Sequence, residues 1–313
     1  MKKENVRILY MGTTELSAGV LQALLNDNWN IVGVVCQADK PVGRKKELEA
    51  PYTKKVALAN NIDVFQPFNI KEDYKWIEEK NPDLIITCAY GQIVTQEVLN
   101  VPRLKCINVH ASLLPQLRGA APIQYAILND FKKSGITIME MVKKMDAGRM
   151  YAKKEVIIDN NDTGNSLFKK MEVAACDLLI KILPDYVKGN LLGEEQDESK
   201  VTFAPSIKRE EEIINWNDTS RNIYNKIRAF NSVPGAYTIL DQTNIKIWDS
   251  EEIDKQYNGE CGAIVEVLKD KIIVKTKDKA LAIKELQVAG KKKMLVKDFL
   301  NGNKELKGKI FHE

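Results

Sequence analysis

Through its first 142 residues the chain alternates short apolar runs with amphipathic stretches, and no other feature constrains its fold as much. Residues 6–11, 31–35, 84–88, 105–109 and 136–142 read as strands, and 15–25, 52–59, 74–80 and 122–128 as helices. Strand–helix alternation of this kind favours a largely parallel sheet with helices on both faces. Such sheets bind ligands outside the carboxyl ends of their strands. Gly12-Thr13-Thr14 and Asn108-Val109-His110 both fall at such ends. The Gly12 turn is not a dinucleotide fingerprint, because the next glycine is Gly19, and no Walker A loop is present. Nicotinamide, flavin and nucleoside triphosphate readings weaken accordingly.

The pattern changes in the second half. Residues 165–188 read as one long helix that closes a first domain spanning 1–188. Residues 189–205 are polar and contain glycine, which suits a linker. Beyond Pro205 the sequence predicts one helix, 219–230, then strands at 236–240, 244–248, 262–267, 271–275 and 280–286. Short strands so closely spaced suit a small OB-like β-barrel spanning 206–313. The expected fold class is therefore α/β: a Rossmann-like, mostly parallel sheet followed by a smaller barrel. No apolar run is long enough to span a bilayer, and the start lacks the apolar core of a signal peptide, so a cytoplasmic protein is expected. Cys36, Cys88, Cys106, Cys176 and Cys261 are scattered singly, which argues against a zinc site and against a disulfide framework.

Net charge is only +4, but its distribution is uneven. Between residues 269 and 309 stand 13 lysines and no arginine against 5 acidic residues, and Arg44-Lys45-Lys46 form a second cluster. Local basic clusters suit a polyanion such as nucleic acid, although a solvated lysine-rich surface would look the same.

His110 is the only histidine before the C-terminal tip, where His312 lies. Imidazole titrates nearest neutrality of all side chains. In an extended segment Asn108 projects to the same side as His110 and offers a neutral donor. Taken alone, this N-x-H could be a satisfied core histidine beside a turn-forming Asn. Downstream, Asp146 follows a strand and precedes the Gly148 turn, so its carboxylate is expected at the carboxyl edge of the sheet near His110. Asn, His and Asp together suit carbonyl addition without a covalent enzyme intermediate: two donors for an oxyanion and a carboxylate to orient the imidazole and relay a proton. Ser112 lacks the surroundings of a nucleophile elbow.

The run Asn108-Val109-His110-Ala111-Ser112-Leu113-Leu114-Pro115, with Gly119 and the later Asp146-Ala147-Gly148, resembles the signature of the 10-formyltetrahydrofolate-dependent formyltransferases. The resemblance implies that Asn108, His110 and Asp146 are catalytic, that 10-formyltetrahydrofolate is the co-substrate, and that no metal takes part. It also implies that Ser112, Leu113, Leu114 and Pro115 lie against the folate. Ala89, Tyr90, Gly91 and Ile93 resemble the family's pterin-pocket loop. The likeness covers essentially the whole chain and is strongest to members acting on initiator methionyl-tRNA. Residues 36–46 resemble the basic loop those members place on the tRNA acceptor end. Arg228-Ala229-Phe230-Asn231 with Pro234, then residues 286–294 and 298–302, resemble the entry and closing motifs of their C-terminal domain. The implied tRNA contacts are Arg44, Lys45, Lys46, Lys291, Lys292 and Lys293. Two departures concern loops: Thr14-Glu15-Leu16 stands where the family has Thr-Pro-x-Phe, and Ala38 where a proline is usual.

The resemblance thus predicts a formyltransferase catalytic domain joined to a tRNA-binding barrel, monomeric and without a membrane partner. A sugar-nucleotide or amino-sugar formyltransferase can carry the same trio, without needing the basic loop or a basic barrel. Glycinamide ribonucleotide formyltransferase normally ends where the second domain here begins. An RNA-binding module with a decayed active site would not be expected to keep all three residues.

Overall fold

The structure, a computed structural model, describes residues 2–43 and 46–313. The chain divides into two compact units. The first comprises the chain up to Pro122, Lys133–Ile157 and Phe168–Ala204; the second comprises Ile123–Lys132, Ile158–Leu167 and Pro205–Glu313.

The first unit is built on a seven-stranded sheet. Its strands are β1 (Arg7–Gly12), β2 (Asn30–Val35), β5 (Val64–Phe65), β6 (Leu84–Cys88), β7 (Cys106–His110), β8 (Lys133–Glu140) and β9 (Met150–Ile157), in the order β5-β2-β1-β6-β7-β8-β9. A separate antiparallel pair is formed by β3 (Lys40–Val42) and β4 (Glu47–Glu49). Strands β5 to β7 run parallel, as strand–helix alternation requires, whereas β8 and β9 turn antiparallel at one edge. From β1 the chain builds outward through β2 and β5, then returns to build the other way from β6. The strand order therefore reverses between β1 and β6, the place where sheets of this kind receive ligands at the carboxyl ends of their strands. There Thr13 Oγ1 donates to the Tyr90 carbonyl at 2.8 Å, joining the loops that follow the two strands.

The helices of this unit are α1 (Glu15–Asn26), α2 (Tyr52–Ala59), α3 (Lys75–Glu79) and α4 (Gln96–Leu99). Helix α1 begins where Thr14, in an extended conformation, accepts a bond from Ser17 N–H, as N-cap residues do. Leu16, Val20, Leu21 and Leu24 form its buried stripe. Gly12 closes β1 because a Cβ there would sit 1.7 Å from Ser17 Oγ, so only glycine lets the helix start so close to the strand. One face of the sheet carries a core of Leu9, Met11, Val35, Ile70, Ile77, Ile85 and Val98, all essentially inaccessible. Each such side chain contributes roughly 1.5–3 kcal/mol relative to exposure.

Helix α5 (Pro122–Leu128) falls almost wholly in the second unit, and α6 (Gly164–Val187) is the long helix anticipated at 165–188. In the second unit α7 (Ser220–Ala229) is capped by Thr219, whose side chain accepts from Asn222 N–H. Strands β10 (Tyr237–Leu240), β11 (Thr243–Ile253), β12 (Ile264–Val267), β13 (Ile272–Lys275), β14 (Ala280–Val288) and β15 (Met294–Leu295) follow, with a short α8 (Val296–Phe299). They pair antiparallel along the path β10-β11-β14-β13-β12. The C-terminal residues join the two ends of that path. Ile239 and His312 exchange both backbone bonds, while Phe311 N–H donates to Gly262 O and Ile264 N–H to Lys309 O. The strand spacing predicts a barrel but not that the C-terminal residues join its two ends. No helix among the described residues is long and apolar enough to cross a membrane.

Residues 194–204, read from composition as part of a linker, belong to the first unit. Glu194 exchanges two backbone bonds with Met150. Arg118 and Ala121 N–H donate to Thr202 O and Ala204 O, and Ala204 N–H to Arg118 O. Of the polar side chains here Gln196 is buried and, with the exposed Glu198, bonds the buried Arg118 guanidinium; the others face solvent.

Candidate active site

The site is assembled on β6 and β7. In their parallel register Thr87 stands opposite Asn108. Side chains alternate along a strand, so Asn108 and His110 share one face while the buried Ile107 and Val109 point to the other. Thr87 Oγ1 donates to Asn108 Oδ1 at 2.8 Å, with Met141 Sδ at 3.0 Å and Ile107 O at 3.3 Å as longer alternatives for its single proton. This bond turns the carboxamide oxygen inward and leaves Nδ2, which has no protein partner among the described residues, as the outward donor. The sequence reading missed Thr87, which lies 21 residues away and becomes Asn108's neighbour only through strand pairing.

His110 is 5% exposed. Its Nε2 lies 3.1 Å from the Leu117 carbonyl. A carbonyl can only accept, so Nε2 carries a proton and Nδ1 is the nitrogen turned toward Asp146. Nδ1 to Asp146 Oδ2 is 3.7 Å, too long for a hydrogen bond but short enough for carboxylate–imidazolium attraction. Leu117 itself sits at φ 59°, unusual for a bulky residue, and its N–H donates to Thr202 Oγ1 at 2.9 Å.

Asp146 reaches His110 by a different route from the one expected. Because β8 is antiparallel to β7, Glu140 at its carboxyl end pairs with Ile107 rather than with His110. Asp146 instead arrives on the loop between β8 and β9, at φ 49°, a left-handed conformation that Asp tolerates better than most residues. Its Oδ2 accepts from Gly119 N–H at 2.8 Å. Its main-chain carbonyl accepts from Gln196 Nε2 at 2.7 Å. Gln196 was also absent from the sequence reading.

The segment likened to a folate surface is divided. Ser112 is buried with its Oγ donating to Gln116 O, and Leu114 packs in a small core with Met139 and Met150. Thr137 Oγ1 accepts from Leu114 N–H and donates to Ser112 O, clamping this turn to β8. Leu113 and Pro115 are partly exposed. In the other loop Ala89 and Gly91 are exposed at positive φ, and Ile93 is 75% exposed. Tyr90 is buried, and its hydroxyl has no hydrogen-bond partner among the described residues. Burial also holds that phenol well above its usual pKa. Burial pushes the Cys36 thiol up to about 11 and Cys88 up to about 12, which leaves both as thiols at neutral pH.

Of the basic residues singled out from sequence, Arg44 and Lys45 lie outside the described residues. Lys46, Lys291, Lys292 and Lys293 are exposed. Lys293 pairs with Glu285 at 2.7 Å and lies 5.6 Å from the centre of the Trp248 ring, a position Lys246 Nζ shares.

A neutral amide donor, an imidazole and a carboxylate grouped on one sheet edge are equipment for adding a nucleophile to a carbonyl and moving a proton as the adduct collapses. The chain belongs to the formyl transferase family: the family's formyl transferase model matches residues 4–183, and its C-terminal domain model matches 206–304. Within that family it is similar to the methionyl-tRNA formyltransferase of Bacillus subtilis, 48% identical over 299 residues that make up 95% of this chain and 94% of the relative. The methionyl-tRNA formyltransferase of Bacillus velezensis is 44% identical over 310 residues, 98% of each chain. Solved structures share the fold at lower identity. WlaRD, a sugar 3N-formyl transferase, superposes with a TM-score of 0.67 at 21% identity, covering 92% of this chain and 99% of that one. HypX from Aquifex aeolicus in complex with tetrahydrofolic acid superposes with a TM-score of 0.68 at 17% identity, covering 97% of this chain but 48% of HypX.

Proposed function

We infer that this protein transfers the formyl group of 10-formyltetrahydrofolate to the amino group of methionine esterified to initiator tRNA. The observation that carries the reading is the near full-length 48% identity to a methionyl-tRNA formyltransferase, joined to the grouping of Asn108, His110 and Asp146. The free amine adds to the formyl carbon. The bond from that carbon to the folate nitrogen then breaks, the amine gives up a proton and the folate nitrogen gains one.

Asn108 Nδ2 and a protonated His110 Nδ1 are the donors for the oxyanion. Asp146, 3.7 Å from that nitrogen, orients the imidazole and serves the proton movement. The carboxyl ends of β1 and β6, with Ala89, Tyr90, Gly91 and Ile93, are the place for the pterin, and the turn carrying Ser112, Leu113, Leu114 and Pro115 the adjoining wall. The buried side chains of Ser112 and Leu114 shape that wall rather than touch the ligand. The catalytic residues lie within 1–188 and the tRNA-binding part is 206–313, with 189–205 between them in sequence. Arg44, Lys45, Lys46, Lys291, Lys292 and Lys293 contribute phosphate contacts, which give affinity and register more than base identity. The protein works in the cytoplasm as a monomer.

The test is transfer of labelled formyl from 10-formyltetrahydrofolate to charged initiator tRNA, with free methionine and a UDP-amino-sugar as parallel acceptors. Label on methionyl-tRNA alone supports the reading, and label on the sugar overturns it. Asp146→Asn should abolish turnover while tRNA binding persists; unchanged turnover would remove Asp146 from the chemistry.

A further inference from the structure

We propose that Gln196 is a positioning residue that sets Asp146 against His110, with Arg118 holding Gln196 in place. The proposal rests on the catalytic reading of Asp146.

All four hydrogen-bonding positions of the Gln196 carboxamide are taken. Nε2 donates to Asp146 O at 2.7 Å and to Gly148 O at 2.9 Å. Oε1 accepts from Arg118 Nε at 3.1 Å and Nη2 at 2.8 Å. The orientation of the amide follows from chemistry, since a guanidinium only donates and main-chain carbonyls only accept. Glu, of the same shape, would turn a carboxylate oxygen onto two carbonyls. The Arg118 side chain is fully buried and also donates to Glu198 Oε1 at 2.8 Å. The next residue, Gly119, supplies the N–H that holds Asp146 Oδ2. Asp146 is therefore gripped twice from one turn: its carboxylate directly by Gly119, and its main chain through Arg118 and Gln196. Held in this way, a residue at φ 49° keeps a conformation it would leave readily if released.

The hydrogen bonds of Gln196 go to Arg118, Asp146 and Gly148 and not to His110, so its effect passes through the position of Asp146. A displacement of about 1 Å can cost on the order of 100-fold in rate. Gln196→Ala and the isosteric Gln196→Glu should each lower kcat for methionyl-tRNA about 10- to 100-fold, with both KM values changing less than about threefold. In an Asp146→Asn background the same changes should add almost nothing, because residues acting as one unit are not additive.

A second measurement does not depend on the acceptor. The chain has only two histidines, so imidazole 15N signals from His110 and His312 can be told apart. Gln196→Glu should move the His110 signals at fixed pH and leave those of His312 in place. Unmoved His110 signals with full kcat would overturn the proposal, as would additive losses with raised KM and a lowered melting temperature. If the unmodified protein formylates no tRNA, the proposed function fails, and the 15N comparison still decides whether Gln196 positions Asp146.

Discussion

Thr87→Val keeps the size and branching of a buried side chain and removes one hydroxyl, which makes it the sharpest test of Asn108. Thr87 is 3% exposed, so water cannot readily replace the lost group. What disappears is the 2.8 Å bond to Asn108 Oδ1. A bond of this kind contributes about 0.5–1.5 kcal/mol net, and an acceptor left without its partner costs about 1–3 kcal/mol. The carboxamide then has no strong reason to keep its oxygen inward and Nδ2 outward. If the unpaired oxygen then favours the flipped amide by about 1.4 kcal/mol, the productive population falls to about one tenth. Removing an oxyanion donor altogether costs about 100- to 1000-fold, so Thr87→Val should lie well short of Asn108→Ala. The assay is steady-state formyl transfer to charged initiator tRNA, with kcat and both KM values measured beside a denaturant melt. The expected result is kcat down about 5- to 10-fold, little change in KM, and a stability loss of about 1–2 kcal/mol. A folded Thr87→Val with kcat within twofold of the parent would refute the reasoning, because Asn108 would then need no help to present its donor.

Gly119→Ala places a Cβ 2.5 Å from the Ala204 carbonyl oxygen at φ 124°, and it disturbs the N–H that holds Asp146. It should cost about 1–3 kcal/mol in a denaturant melt and lower kcat with it, and a neutral result would contradict the packing described. Lys291→Gln combined with Lys292→Gln should raise KM for tRNA and make its salt dependence shallower by about two, leaving KM for the folate alone. Lys293→Gln should do less, since Glu285 already occupies that ammonium. The Arg118 guanidinium, then the Lys144 ammonium, pull the Glu198 carboxyl from 4.5 down to about 2. A carboxyl depressed on folding stabilises the folded state fully above its ordinary range, and that contribution is lost as pH falls from about 4.5 through about 2. Glu198→Gln should therefore flatten the pH dependence of the melting temperature across that window, and an unchanged slope would show that the pair contributes nothing.

Much of this architecture could be read locally. Strand and helix periods are properties of neighbouring residues, so β1, α1, β2, α2, β6, β7 and the start of α6 lie close to where the pattern puts them. The same is true of Asn108 and His110 sharing a face, which follows from the two-residue repeat of any strand. Periodicity does not say which strand a strand will pair with, or in which direction. The alternation that predicts a parallel sheet is silent on β8 and β9 running antiparallel, so it placed Asp146 beside His110 for a reason the topology does not share.

Partners distant along the chain were invisible for the same physical cause. Thr87 meets Asn108 through sheet register, Gln196 meets Asp146 across 50 residues, and residues 310–312 join the two ends of the second unit's sheet. In each case the contact forms because burial brings unpaired polar groups together and they must be satisfied. The residues able to do chemistry were written in the sequence by itself. Which of them hold the others in place was decided only when the tertiary structure buried their hydrogen-bonding groups and left them one another as partners.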